Sequence, residues 1–215
     1  MDKKTHQKEV IIFTRYPEPG NVKKRLIPYL GKAEAARVHR LLSERIIRHV
    51  LQLEKNRSFR ISVHYTGGTR KQMQDWLRHP VILEEQRGND VGQRMAAALR
   101  AACARGAHRT VLIGTDCPAM NPDLIAVALD ELLHHTIVLG PAYDGGYYLI
   151  GLNCFLPEEK IDLLFQDIDW GTSRVFQQTI RKIEENGFSF ATLSPIHDVD
   201  RPEDLEHFHY YSNPQ

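Results

Sequence analysis

Cationic side chains are concentrated in the loop that follows the first apolar run of the sequence. Two prolines and a glycine fix an extended conformation there. The eleven residues 15–25 contain four cationic side chains, which are Arg15, Lys23, Lys24 and Arg25. Because the whole chain has 28 Lys and Arg against 27 Asp and Glu, this local excess predicts a clamp for a diphosphate. A solvated basic loop is the alternative.

The spacing in this loop excludes two well-known phosphate-binding motifs. It fits neither the P-loop pattern of nucleoside triphosphatases nor the glycine fingerprint of dinucleotide-binding proteins. A phosphate site in this chain must therefore be built in another way.

Asp116 follows a later apolar run, in the sequence IGTDCP. A carboxylate at the carboxyl end of a buried strand is well placed to hold Mg²⁺ against a diphosphate, since Mg²⁺ prefers one or two carboxylates plus phosphate oxygens. Capping of a turn by the Asp116 side chain is an equally good interpretation of the spacing. Cys117 has no evident histidine partner in the sequence, which argues against a nucleophilic role.

The sequence GPAYDGGYYLIG contains paired glycines beside an acid. Gly145 and Gly146 permit a close approach of the backbone to a ligand, and Asp144 is a candidate base for an acceptor hydroxyl. Asp-Gly is also a strong hairpin signal, and both interpretations can hold together.

The sequence HDVDRPEDL places Asp198 and Asp200 just before a helix that opens with proline. Either acid could complete a metal site with Asp116 if the last strand brings this loop to the same crevice. Helix capping by Asp200 is the structural alternative.

Short β-branched runs alternate with segments of helical period. The runs predict strands at 10–14, 61–65, 81–84, 110–113, 136–139, 147–152 and 188–193. Asn121 before Pro122 predicts a helix cap, and Thr172 or Ser173 is expected to cap another helix. The alternation predicts one α/β domain over residues 1–215 with a mostly parallel sheet in a three-layer α/β/α arrangement, whose ligands lie beyond the carboxyl ends of the strands.

Composition narrows the class of protein. The near-zero net charge argues against sequence-independent nucleic-acid binding, and no apolar run is long enough to span a membrane. The polar start predicts a soluble, cytoplasmic protein. Three cysteines without a C-x-x-C pair suggest neither a disulfide framework nor a structural zinc site, so we expect buried apolar fillers.

In this order the loops resemble those of a family of proposed glycosyltransferases, often described as radical-SAM-associated transferases. The resemblance rests on TRYPEPGNVKKRL, QRGNDVGQRM, GTDCP, GPAYDGGYYLIG and DVDRPEDL, and it covers residues 8–208. It implies a GT-A-like, nucleotide-diphospho-sugar transferase fold with a mixed sheet.

The resemblance also implies roles for individual residues. The first loop, with Pro19 and Gly20, would embrace the diphosphate, and Asp116 would bind Mg²⁺ or Mn²⁺ beside the last loop. Asp90 and Arg94 would line the nucleotide pocket. The other motif residues it carries over are Lys23, Arg25, Asp144, Gly145, Gly146, Tyr147, Asp198 and Asp200.

Three functions are therefore compatible with the sequence. The first is sugar transfer from a nucleotide-diphospho-sugar to a small-molecule acceptor. The second is nucleotidyl transfer from a nucleoside triphosphate to a phosphorylated metabolite, with release of pyrophosphate. The third is a nucleotide-binding module without catalysis, which the acids in three separate loops argue against.

Overall fold

One mixed sheet organises the part of the chain described by the computed structural model, which is residues 7–54, 59–79 and 81–212. Its strands are β1 (Lys8–Arg15), β2 (Arg60–Thr66), β3 (Ile82–Glu85), β4 (Arg109–Ile113), β5 (Ile137–Pro141), β6 (Tyr147–Asn153) and β7 (Phe190–Thr192). They lie in the order β3-β2-β1-β4-β6-β5-β7. Only the pairings of β6 with β4 and β5 are antiparallel among these strands.

Helices cover both faces of the sheet. They are α1 (Ile27–Glu54, kinked at Gly31), α2 (Arg70–Leu77), α3 (Val91–Ala104), α4 (Pro122–Glu131), α5 (Glu158–Leu163), α6 (Val175–Glu185) and α7 (Leu205–Ser212). Residues of α1, α2 and α4 pack on one face, and residues of α3, α5 and α6 pack on the other. Because each strand alternates its side chains between the faces, both layers bury apolar side chains, and the three-layer prediction is confirmed.

The order in which strands are added to the sheet reverses at β1, although β1 and β4 are parallel. From β1 the sheet continues to β2 on one side and to β4 on the other, and Ile12 pairs with Ile113. The loops after β1 and β4 therefore start next to each other, at the same ends of these parallel strands. Such a switch point opens a crevice at the carboxyl ends of parallel strands.

The two helix-cap predictions had different outcomes. Asn121 caps α4 as expected, since its side-chain oxygen accepts hydrogen bonds from the amides of Asp123 and Leu124. The prediction for Thr172 or Ser173 was wrong, because α6 begins at Val175 without a side-chain cap. The amide of Phe176 in its first turn donates instead to the carbonyl of Gly145, 2.9 Å away in another loop.

The expectation that the cysteines are separate fillers was wrong for two of them. Cys103 and Cys154 form a disulfide that ties the end of α3 to the end of β6. Arg109 at the start of β4 pairs with Asn153, so the chain after α3 returns beside the end of β6. Sheet pairing thus brings together two cysteines 51 residues apart, which a search for C-x-x-C pairs does not detect. Cys117 is free and buried, as expected.

Within the described residues, no helix has the length and apolar character needed to cross a bilayer.

Candidate active site at the switch point

Lys23 and Asp116 meet at the crevice between β1 and β4. The ammonium of Lys23 donates to the carboxylate of Asp116. The Lys23 side chain is only 4% exposed, while that of Asp116 is 52% exposed. Lys23 also has a φ of 46°, which is uncommon for a residue other than glycine. The fold thus holds a buried cation against an acid that faces solvent.

The pKa of Asp116 reflects this pairing. The protein around the half-exposed Asp116 side chain removes part of its hydration, which acts to raise the pKa of its carboxyl, but the nearby Lys23 ammonium outweighs that effect and keeps the pKa below its ordinary value. Asp116 is therefore an anion at neutral pH. It is available to a cation on its exposed side.

His39 of α1 lies under Asp116 and was not expected from the sequence. Its Nε2 is 2.9 Å from the carbonyl oxygen of Arg15, so Nε2 carries the proton and donates to it. Its Nδ1 is 3.9 Å from Asp116. Burial lowers the pKa of His39 despite the neighbouring carboxylate, so the ring is neutral. A neutral His39 supports the Arg15 backbone without adding charge.

Three buried hydroxyls connect the elements beneath the site. Thr14 of β1 lies 3.0 Å from Ser43 of α1, Ser43 donates to Thr115 after β4, and Thr115 donates back to Thr14. The signal in the sequence is that His39 and Ser43 interrupt the apolar stripe of α1. Because buried polar groups need partners, this triangle fixes β1, β4 and α1 relative to one another.

The last loop reaches the same crevice. The amide of Val199 donates to the carbonyl of Asp116 at 2.9 Å, which places Asp198 and Asp200 beside it. Asp200 accepts a hydrogen bond from Arg25 at 2.6 Å, and its own amide is bound by Asp204. Its side chain is thus occupied by a cation of the first loop.

A cleft of about 460 Å³ opens over this arrangement. The residues of the predicted set that line it are Arg15, Lys23, Arg94, Asp116, Tyr147 and Asp200. Gln86 also lines it, and its side-chain amide donates to the carbonyls of Thr14 and His64. These two bonds fix the orientation of the amide group, so its oxygen remains available as an acceptor.

Other predicted residues lie at the rim or outside this cleft. Pro19 faces a separate groove beside α2, and Lys24 is exposed. Gly20 has a φ of 92° in the turn that redirects the loop toward Lys23.

Asp90 caps α3 by accepting from the amide of Gln93. Asp144 is exposed and accepts from the amide of Gly146.

Gly145 makes a tight contact that no other residue type could make. Its φ is 88°, and a Cβ at this position would lie 2.2 Å from the carbonyl oxygen of Ser173. We expect Gly145→Ala to lower the free energy of unfolding by about 2 to 4 kcal/mol, since backbone strain and a clash add. Gly171→Ala is the matched control, because Gly171 has a φ of 80° and nothing within 4 Å of a new Cβ. If urea unfolding shows the same loss of free energy of unfolding in both variants, the clash is refuted.

The acids of three loops surround the buried thiol of Cys117. Burial, Asp116, Asp198 and Asp144 each raise the pKa of this thiol, which argues against a thiolate nucleophile at neutral pH. Burial also raises the pKa of Asp198 to about 6, and the charge of Asp144 adds to the effect. The residues that precede these two acids, Tyr143 and His197, stack with ring centroids 4.1 Å apart.

The raised pKa of Asp198 predicts a dependence of stability on pH. Between 3.8 and about 6, the folded protein keeps a proton on Asp198 that the unfolded chain releases. The contribution of Asp198 to the free energy of unfolding therefore falls as pH rises through this window. We expect Asp198→Asn to gain stability relative to the parent protein over the same window, measured by urea unfolding. Parallel stability curves would contradict the raised pKa.

The donor set fits a hard divalent cation. No group of three or more histidines, cysteines or acids in the described ranges could hold a metal by itself. Asp116 nevertheless lines the cleft, and the backbone bond from Val199 to Asp116 brings the loop that carries Asp198 next to it. Mg²⁺ needs only one or two carboxylates when phosphate oxygens complete its shell. Asp200 also lines the cleft, and one of its carboxylate oxygens accepts a hydrogen bond from Arg25.

Comparison with known proteins identifies the family. Residues 49–172 match the family described as "Uncharacterized protein conserved in bacteria (DUF2064)". The chain belongs to the DUF2064 family. A comparison with curated proteins found no match.

Solved structures relate this DUF2064 protein to transferase folds. A proposed nucleotide-diphospho-sugar transferase from Desulfovibrio desulfuricans is 31% identical, with a TM-score of 0.84 over 98% of this chain and 89% of that chain. The inositol-1-phosphate CTP transferase from T. maritima is 12% identical, with a TM-score of 0.59 over 99% of each chain. A Mycobacterium tuberculosis protein in complex with manganese is 17% identical, with a TM-score of 0.51 over 94% of this chain and 96% of that chain.

These findings confirm the predicted fold and the resemblance to nucleotide-diphospho-sugar transferases. The association with radical-SAM proteins stays a prediction.

Proposed function

We propose that this DUF2064 protein transfers a sugar from a nucleotide-diphospho-sugar to a small-molecule acceptor with the help of a divalent cation. The observation that carries the proposal is the meeting of Lys23 with Asp116 at the switch point, beside the loop that contains Asp198. A diphosphate needs cations, and the metal that accompanies it needs acids. The cations and the acids lie together at the carboxyl ends of β1 and β4.

The cationic side of the cleft suits the leaving diphosphate. Arg15, Lys23 and Arg94 line it, and a buried ammonium such as that of Lys23 interacts strongly with phosphate oxygens because little water screens it. Asp116 and Asp198 would hold Mg²⁺ or Mn²⁺, which when bound neutralises charge on the diphosphate. The manganese complex of a protein with the same fold is compatible with this assignment.

The reaction then requires little covalent chemistry from the protein. The acceptor oxygen forms a bond to the anomeric carbon as the bond from that carbon to the diphosphate oxygen breaks. Asp144 would take the acceptor proton, since its exposed carboxylate has one oxygen on the Gly146 amide and one oxygen free. Lys23 stabilises the negative charge that develops on the diphosphate.

Nucleotidyl transfer is the second candidate. The CTP transferase fold of T. maritima supports it, and a cleft with three cations could also hold a triphosphate. The two reactions differ in their products, because only nucleotidyl transfer releases pyrophosphate.

A thermal-shift screen with product analysis tests both functions. UDP-, GDP-, ADP- and CDP-sugars and the free triphosphates are each added with Mg²⁺ or with EDTA. Stabilisation by a nucleotide-sugar, with release of a nucleoside diphosphate, is the expected result. Pyrophosphate release from a triphosphate would favour the second function. If no nucleotide raises the melting temperature, both transfer reactions are excluded.

A further inference from the structure

Three stacked aromatic rings lie beside the acids of the site. The rings of Tyr143 and His197 have centroids 4.1 Å apart and an interplanar angle of 23°. His197 in turn stacks on His207 of α7 at 4.0 Å and 21°. Tyr143 remains 61% exposed, although it is among the largest apolar side chains of the protein. One face of its ring is thus supported, and the rest is open to solvent.

Backbone bonds hold this stack in place. The amide of Tyr143 donates to the carbonyl of Ile196, and the amide of Ile196 donates to the carbonyl of Pro141. Ala142 and Ile196 form a parallel bridge that extends the edge of the sheet. The ring of Tyr143 is therefore carried by a paired segment rather than by a free loop, so its orientation is set before a ligand arrives.

The stack and the candidate base occupy the same rim. Asp144 follows Tyr143 directly, and Asp198 follows His197 directly. Because the two segments are bridged and their rings stack, Asp144 and Asp198 are each one residue away from the aromatic stack. A molecule resting on Tyr143 would have its hydroxyl groups within reach of acidic acceptors.

Charge is divided between the two ends of the site. The cations Arg15, Lys23 and Arg94 line the cleft, whereas none of the ion pairs in the described part of the chain includes Asp144 or Asp198. A phosphate group on Tyr143 would meet the carboxylate of Asp144 and the negative face of an aromatic ring. The rim therefore disfavours a phosphorylated acceptor.

We propose that the ring of Tyr143, supported by His197, is the acceptor platform of this enzyme, and that the acceptor is an uncharged carbohydrate ring. The apolar C–H face of a sugar ring covers an aromatic ring, while a hydroxyl of the sugar donates to Asp144. This inference rests on the proposed sugar transfer. It also separates the two candidate functions, since nucleotidyl transfer to a phosphorylated metabolite would need cations here.

The test uses the full-length protein and saturation-transfer difference NMR. The probes are methyl α-D-glucopyranoside, methyl α-D-mannopyranoside and methyl β-D-galactopyranoside, with glucose 6-phosphate and glucosamine as charged comparisons. We expect at least one neutral glycoside to bind and glucose 6-phosphate to give no signal. Tyr143→Ala should weaken glycoside binding roughly tenfold, while Tyr143→Phe retains it, because the ring and not the hydroxyl makes the contact.

Phe155→Ala is the matched control. Phe155 is 77% exposed and packs on His108, but it follows the end of β6, which lies beside the start of β4 and so at the opposite ends of the strands from the site. It should leave glycoside binding unchanged. Binding of glucose 6-phosphate or glucosamine alone, or equal losses in Tyr143→Ala and Phe155→Ala, would overturn the platform.

Nucleotide-induced thermal shifts of the same variants distinguish this inference from the proposed function. A nucleotide shift without any glycoside signal overturns the platform and leaves sugar transfer standing. Tyr143-dependent glycoside binding without any nucleotide shift supports the platform and rejects the proposed donor.

Discussion

Asp116→Asn abolishes the metal-dependent part of nucleotide binding if Asp116 is a metal ligand. Mg²⁺ prefers carboxylate oxygens, and an amide oxygen without charge is a far poorer ligand. The fold should persist, because the amide oxygen can still accept a hydrogen bond from the Lys23 ammonium. Turnover is expected to fall roughly 10³-fold, as for the loss of a main electrostatic contact to the transition state. Calorimetric titration with nucleoside diphosphate, with Mg²⁺ and with EDTA, measures the effect.

In EDTA, where no metal is present, we do not expect Asp116→Asn to weaken nucleotide binding. Asp116 holds the Lys23 ammonium in the free protein, so a diphosphate must compete with this carboxylate for Lys23. Removing the negative charge of Asp116 should therefore leave metal-free nucleotide binding equal to that of the parent protein or tighter. Asp200→Asn is the control, because Asp200 bonds Arg25 instead. An Asp116→Asn variant that still responds to Mg²⁺ like the parent protein would disprove the metal role.

Lys23→Met removes the buried cation at nearly constant side-chain length. Hydrogen bonds to charged groups contribute about 1.5 to 3 kcal/mol, so diphosphate affinity should fall roughly 10- to 100-fold. Turnover is expected to fall further, by roughly 10² to 10³, because charge on the diphosphate increases as the bond breaks. Isothermal titration and single-turnover kinetics give the two quantities separately.

Lys24→Met is the matched control for this substitution. It removes the same charge from the next residue, whose side chain is exposed. Exposed charges are screened by water and salt, so its effect on affinity should be within about threefold. The assignment of Lys23 is wrong if both variants weaken binding to the same extent, since the loop would then act only through its total charge.

The loops of the candidate site stand out in the sequence because their composition differs from the rest of the chain. Four cations after the first strand and acids after later strands are local patterns, and local patterns do not need coordinates. The alternation of strands and helices is also a local pattern of the sequence. It predicted the three α/β/α layers because helices must cover both apolar faces of the sheet. The exact strand ends were less accurate. β3 ends at Glu85 and not at the predicted Glu84, and β5 ends at Pro141 and not at the predicted Leu139.

Contacts between distant segments were beyond such patterns. Lys23 rather than Lys24 or Arg25 meets Asp116 because the turn at Gly20 and the positive φ of Lys23 direct this one side chain inward. Neither the pairing of Cys103 with Cys154 nor that of Arg25 with Asp200 follows from spacing along the chain. They depend on which strands are neighbours.

The sequence by itself determined the fold class and the four loops that supply cations, acids and glycines. Only the tertiary structure decided which of these groups share a crevice, which of them are buried, and that His39 and Tyr143 belong beside them. The physical reason is that side-chain type is a property of one residue, whereas burial, pKa and pairing depend on neighbours that the folded sheet brings together.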